Sequence, residues 1–181
     1  MMLILQYGPL FSGGGQEHVL TSLQTLSSII GTAYNSDDNV DTDQSLVLFS
    51  DPSDSAFRCY TLDSFTRVPV DKTFKSPFIG WDIDRIAVFL RENATDTVID
   101  SSLFLVADEQ TASDQTLLLV NVERDDVYYQ KKQGKMAMTK VRLVPEFANS
   151  CPVAITIGCM GANELESEAD EDGVYRGGSW R

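Results

Sequence analysis

The chain is poor in the residues that most often carry recognisable chemistry. His18 is its only histidine, which excludes a multi-histidine zinc or iron site and any acid–base mechanism that uses two histidines. Cys59, Cys151 and Cys159 are odd in number, far apart and without CxxC spacing. That pattern fits reduced thiols rather than a disulfide framework, and so a cytoplasmic setting. No run approaches the roughly 20 apolar residues of a membrane span. Met1 to Leu5 is apolar but is interrupted by Gln6 to Pro9, and it lacks the basic leader of a signal peptide. The sequon Asn93-Ala94-Thr95 is therefore read as accidental. Basic residues are scarce too: 14 lysines and arginines face 27 acids, a net charge of −13. Such a balance opposes nonspecific nucleic-acid binding and anionic membrane surfaces, since both require a basic face.

What is present reads as one domain. The 181 residues, with 43% apolar and 23% charged, suffice for a core without disulfides or metal. Met2 to Tyr7 is a candidate first strand. Val19, Leu20, Leu23, Leu26, Ile29 and Ile30 recur at helical spacing, with Gly31 placed to end that helix. Residues 33–45 and 66–80 read as loops. Leu46 to Phe49 and Phe57 to Leu62 read as strands, and Asp82 to Arg91 as a helix with Ile83, Ile86, Ala87 and Leu90 inward. Leu103 to Ala107 and Leu117 to Val122 are expected core strands joined by a polar loop. Tyr128 to Lys135 holds the one basic cluster, Lys131, Lys132 and Lys135. Lys140 to Val144 alternates as a half-buried strand, and Val153 to Ile157 is expected to be the last strand. The expected fold is α/β or α+β: one domain over residues 1–181, with a mixed β-sheet and two or three packed helices.

Few positions invite chemistry. Gly13-Gly14-Gly15 precedes a helix, but neither the Walker nor the dinucleotide spacing follows, and Glu17 would repel a phosphate. No nucleophile-elbow motif accompanies His18. Asp108 and Glu109 close a presumed strand, where sheet proteins place sites, although neighbouring side chains on an extended chain diverge. Their other reading is turn formation.

The densest feature is an acidic block, Glu164, Glu166, Glu168, Asp170, Glu171 and Asp172. Glu168, Asp170, Asp172 and Gly173 imitate part of an EF-hand loop, but Arg176 then occupies the ninth position and Ser179 the twelfth, where a bidentate glutamate is required. No metal and no cofactor is expected. Residues 163–181 read instead as a helix and closing turn, with Asn163 as cap, Glu166 as its capping-box partner and Gly173 as a left-handed stop. Three acids at the negative end of a helix call for something positive nearby, and Arg176, the lysines of residues 131–135 or a ligand are the candidates.

Two stretches resemble a family of small uncharacterised bacterial and fungal proteins, a domain of unknown function. One is Ser102-Leu103-Phe104-Leu105-Val106-Ala107-Asp108 followed by Thr116 to Val120. The other runs from Ile155 to Met160, through Glu164-Leu165, to Asp170-Glu171-Asp172-Gly173-Val174-Tyr175-Arg176-Gly177. The resemblance covers the C-terminal half; Gly161 and Ala162 depart from its pattern. It implies two adjacent strands and a closing acidic helix, and no activity.

Two functions follow. One is a noncatalytic module that binds a protein partner or a small apolar molecule. A variant of it, from charge alone, is an acidic protein that neutralises a basic target. The other is a cofactor-independent isomerase, cyclase or hydrolase acting on an apolar metabolite, for which His18, Asp108, Glu109, Tyr175 and Arg176 are the candidate catalytic residues.

Overall fold

The computed structural model describes residues 2–5, 16–35, 45–51, 65–94, 97, 99–123 and 136–178, with the backbone alone for 2–5 and 16–22. The expected strand Phe57 to Leu62 and the basic cluster Tyr128 to Lys135 lie outside the described residues.

The fold is built around a strand that is apolar on both sides. In β3, Leu103–Ala107, every residue is buried. Leu103, Leu105 and Ala107 enter one core cluster, while Phe104 and Val106 enter another. A strand buried on both faces needs cover on both faces. β1 (Met2–Leu5) runs parallel to β3 and, on its other side, to β2 (Val47–Leu48). β4 (Leu117–Val122) and β5 (Met138–Leu143) add antiparallel strands, and the two-residue β6 (Val174–Tyr175) lies parallel to β5. The sheet order is β2-β1-β3-β4-β5-β6. The fold is thus mixed α/β.

The first face is covered by α1 (Gln16–Asn35), which inserts Leu23, Leu26, Ile29, Ile30 and Ala33. Beyond it lie a 3-10 turn, Pro145–Phe147, and two short helices, α4 (Ser150–Thr156) and α5 (Ala162–Glu168). α2 (Ile83–Asn93) covers the second face through Ile86, Ala87 and Leu90. It is capped by Asp82, whose carboxylate accepts from the Arg85 N–H at 2.7 Å. Phe49, Phe78, Trp81 and Phe89 extend this layer, with ring centroids 5.3 Å apart for Phe49–Phe78 and 5.4 Å for Phe78–Trp81. Arg85 lies 3.7 Å above the Trp81 ring. Among the described residues, no helix is long and apolar enough to cross a membrane.

Several expectations need correction, each for a tertiary reason. α1 does not stop at Gly31 but continues to Asn35, so it takes the first residues of the expected loop 33–45. Glycine inside a helix costs about 1 kcal/mol relative to alanine, and the extra turn recovers it through contacts. Ala33 is buried, and the Tyr34 hydroxyl reaches the Thr66 carbonyl at 3.0 Å. The segment 66–80 is irregular, as read, yet tied down: Thr66 N–H donates to the Leu46 carbonyl at 2.8 Å, and Val70 N–H donates to Ser27 Oγ at 2.9 Å.

The connection between β3 and β4 is a short helix, α3 (Glu109–Asp114), rather than a plain loop. Residues 153–157 are not a strand: Val153 to Thr156 belong to α4 and Ile157 caps it. Their apolar run suggested burial, but Val153 and Ile157 are exposed and only one side of the helix packs inward. The place beside β5 is taken by Val174 and Tyr175. α5 begins after Gly161, whose N–H donates to Glu164 Oε2 at 3.0 Å, so Asn163 and Glu166 are not its capping pair. Asn163 instead accepts from the Thr139 hydroxyl at 2.6 Å and ties α5 to β5. Gly173 is left-handed, with φ 76°, but it closes a separate turn, its N–H donating to the Asp170 carbonyl at 2.8 Å. Among the described residues there are five α-helices, where two or three were expected.

Candidate functional site

Two places concentrate polar groups, at opposite ends of the sheet. The first lies at the carboxyl end of β3, next to the point where the chain order changes direction around β1. Open α/β sheets commonly bind ligands at such an end. Asp108 leaves β3 in an extended conformation and caps α3: its Oδ1 accepts from the Thr111 N–H at 3.1 Å and the Thr111 hydroxyl at 3.2 Å. The Asp108 N–H in turn donates to Thr111 Oγ1 at 3.0 Å. The other carboxylate oxygen of Asp108 forms a salt bridge with Arg142 of β5. Arg142 Nη1 also donates to Thr116 Oγ1 at 3.1 Å, and that hydroxyl donates to Asp114 Oδ1 at 2.7 Å.

The result is a chain of contacts across β3, β4 and β5. Burial opposes ionisation of Asp114, but hydrogen bonds from Thr116 and Gln110 and the charge of Arg142 outweigh it and hold its carboxyl below the usual range. Both oxygens of Asp108 are engaged, so this cluster braces the sheet. Arg142 was not among the expected site residues. Its signal was legible in the alternation of β5, which puts Arg142 on the face opposite Val141 and Leu143.

Of the five expected catalytic residues, the four whose side chains are described make their contacts in separate places. Glu109 is exposed in the first turn of α3, beside Asp108 in sequence but not in the Asp108–Arg142 contact. His18 falls in the first turn of α1, where the backbone alone is described. Tyr175 lies in the first-face core, paired in register with Leu143 and 4% exposed, its ring 5.2 Å from that of Phe147 in a T-shaped contact. Burial raises its phenol pKa. Arg176 lies just beyond, on the surface. It donates to Asp170 Oδ2 at 2.7 Å and grips Asp172 with both terminal nitrogens, at 2.9 and 2.7 Å. The base sought for the acidic block is therefore Arg176, and its first effect is to hold the Asp172 carboxyl below the ordinary range.

The second place is a cleft of about 230 Å³ at the other end of the sheet, lined by Asp100, Ser102, Leu103, Asn121, Val122, Glu123, Ile155 and Thr156. It forms because β3 begins where β4 ends: the Val122 N–H donates to the Ser102 carbonyl at 2.7 Å. Asp100 Oδ1 accepts from the Ser102 N–H at 2.8 Å and the Ser102 hydroxyl at 2.7 Å, which fixes the entry to β3. Sequence reading passed over this cleft. Its trace was an acid just before one core strand and another just after its antiparallel neighbour. Among the described residues, no three His, Cys, Asp or Glu side chains gather as a metal-binding group.

A family profile described as a domain of unknown function (DUF6924) matches residues 31–178. The match starts inside α1 and spans most of the chain, so the family likeness is not confined to the C-terminal half. No curated protein and no solved structure matches the chain.

Proposed function

The chain belongs to the DUF6924 family, a premise that supplies no activity, and we propose that it is a noncatalytic module that binds a protein partner. One observation supports this reading: of the four candidates whose side chains are described, all but the exposed Glu109 serve the fold. Asp108 is spent on a helix cap and on Arg142, Arg176 is spent on Asp170 and Asp172, and Tyr175 fills the core. A general acid or base has to keep a lone pair or proton within reach of a substrate, and these groups direct theirs at the protein.

Among the partners weighed from sequence, a protein is favoured over a small apolar molecule. The cleft at the amino end of β3 carries Asp100, Ser102, Asn121, Glu123 and Thr156 among its lining, whereas sites for apolar ligands are mostly apolar with a few polar anchors.

The test is to incubate the purified chain with a metabolite extract and follow both retention and conversion by mass spectrometry. Absence of turnover, together with saturable binding of a protein partner in a separate assay, supports the module. Conversion of any metabolite in molar excess over the protein, abolished by Asp108→Asn or by His18→Gln, would replace it with the enzyme reading.

A further inference from the structure

We propose that the outer edge of β5 at residues 138–140 is a slot for strand addition, filled by an extended segment of a partner protein. The inference rests on the binding-module reading and gives it a place and a mode of binding. In an antiparallel pair, residues alternate between those whose backbone groups face the neighbouring strand and those whose groups face away. Glu123 N–H donates to the Ala137 carbonyl at 3.0 Å, so Ala137, and with it Thr139, Val141 and Leu143, faces β4. Met138, Lys140 and Arg142 therefore turn their backbone groups away from β4. β6 covers only the last of these: it pairs with Arg142 and Leu143, and Val144 N–H donates to the Tyr175 carbonyl at 3.3 Å. Among the described residues, nothing hydrogen-bonds the backbone of Met138 or Lys140 on that outer side.

Elsewhere the chain closes its sheet edges. At β2, Thr66 N–H donates to the Leu46 carbonyl at 2.8 Å and Leu48 N–H donates to Thr66 Oγ1 at 2.7 Å. On the outer side of β6, Val174 N–H donates to Asp172 Oδ1 at 3.1 Å, and the Val174 carbonyl accepts from the Asp170 N–H at 3.1 Å. Arg176 grips the turn that supplies both. A threonine and an acidic turn thus stand in for a neighbouring strand, where an unpaired edge would invite another chain. Residues 138–140 have no such stand-in among the described residues.

The open groups decide the occupant. A row of alternating backbone donors and acceptors is matched by an extended polypeptide. Met138 packs against the second core cluster and Lys140 is exposed, while Thr139, on the opposite face, is buried and donates to Asn163. The added strand therefore places an apolar residue opposite Met138, a threonine or serine opposite Thr139 and an acid opposite Lys140, each a favourable cross-strand pair. A second copy fits worse. Antiparallel pairing of two β5 edges puts both α5 helices on the same side of the joined sheet, because α5 packs on the first face beside Thr139. α5 carries Glu164, Glu166 and Glu168 and no base, so the two copies repel.

The test uses the full chain and a fluorescein-labelled peptide, Ser-Thr-Glu-Thr-Val-Thr-Ser, in the order that antiparallel addition requires. Fluorescence anisotropy should show saturable binding below about 1 mM. Amide hydrogen exchange at Met138 and Lys140 should slow when the peptide is bound. N-methylation of the peptide's valine, whose N–H faces Met138, should weaken binding by at least about tenfold, and N-methylation of its central threonine should not. Lys140→Pro removes an outward N–H and no bond to β4, the kind of edge position where a strand tolerates proline. It should weaken binding by at least about tenfold, while Thr139→Pro, which loses a bond to β4, should lower the melting temperature far more.

No binding up to about 1 mM, or equal binding to the parent chain and to folded Lys140→Pro, overturns the slot. The module reading survives either result, since metabolite turnover is what would remove it. If Lys140→Pro fails to fold, equal binding of the two N-methylated peptides to the parent chain overturns the slot in its place. Sedimentation showing a dimer that Lys140→Pro abolishes also overturns it, in favour of a second copy.

Discussion

Removing Asp108 tests whether the polar chain at the carboxyl end of β3 is a brace. Asp108→Ala deletes two things at once. The helix cap, with Oδ1 at 3.1 Å from the Thr111 N–H, contributes about 1 kcal/mol. The contact with Arg142 is a charge-assisted hydrogen bond between side chains that are 25% and 13% exposed, a class that contributes about 1.5–3 kcal/mol. Asp108→Ala should therefore cost about 3 kcal/mol. Asp108→Asn keeps an oxygen for the cap and loses only the charge, so it should cost about 2 kcal/mol. Arg142→Met should also cost about 2 kcal/mol, because it leaves Asp108 without its base and Thr116 without a donor. The decisive variant is the pair. If both single changes break one contact, the double variant should cost little more than either alone, a coupling of about 1.5 kcal/mol. Urea unfolding followed by circular dichroism measures this. With a slope of about 2 kcal/mol per molar, Asp108→Asn and Arg142→Met each move the midpoint by about 1 M and Asp108→Ala by about 1.5 M. Additive single effects, with coupling under about 0.5 kcal/mol, would refute the brace.

Other expectations follow from particular contacts. Arg176→Glu should lower the melting temperature and Arg176→Met should lower it less, with the difference shrinking in high salt, because the Arg176, Asp170 and Asp172 side chains are all largely exposed. Asp172 has a depressed folded pKa, so its contribution is complete above its unfolded value near 4. It is lost as pH falls through the lower folded value, and acid titration of Arg176→Met should lack that component. Burial raises the Tyr34 phenol to about 12, so its contribution holds below the unfolded value of about 10. It is lost as pH rises from there through about 12, and Tyr34→Phe should unfold with less alkaline sensitivity, read by circular dichroism. Gly177 has φ 95°, and a Cβ there would sit 2.8 Å from Phe147 Cζ. Gly177→Ala should cost about 2 kcal/mol. Gly173→Ala, with φ 76° and open space around it, should cost about 1 kcal/mol; the reverse order in urea melts would contradict the geometry.

The central strands were legible because their sequence makes a single demand. Leu103 to Ala107 and Leu117 to Val122 are apolar runs too short for helices, and both became strands within a residue of expectation. α2 was legible for a different reason: its periodic face and Asp82 cap are local, and nothing distant overrides them. Failures cluster where a local signal is ambiguous or outweighed. Val153 to Ile157 is an apolar run of the length at which helix and strand cannot be told apart by pattern. Pro152 within α4 gave no help, since proline is tolerated in a helix's first turn. Gly31 was a plausible stop, but Ala33 and Tyr34 have distant partners that reward another turn.

The candidate site was harder to read for the same reason, carried further. A carboxylate at a strand end looks alike whether it serves a substrate or a guanidinium, and only the partner separates the two. For Asp108 that partner is 34 residues away in Arg142, and no spacing rule connects them. For Arg176 the partners are four and six residues away, and there charge crowding did put Arg176 among the candidates, although the acids it holds lie in a turn and not at a helix end. Legibility thus follows the sequence separation of the contact that assigns the role. The α4 face follows the same logic in reverse. Val153 to Ile157 was read as a strand because a short apolar run suits one, yet it forms a helix that leaves Val153 and Ile157 exposed.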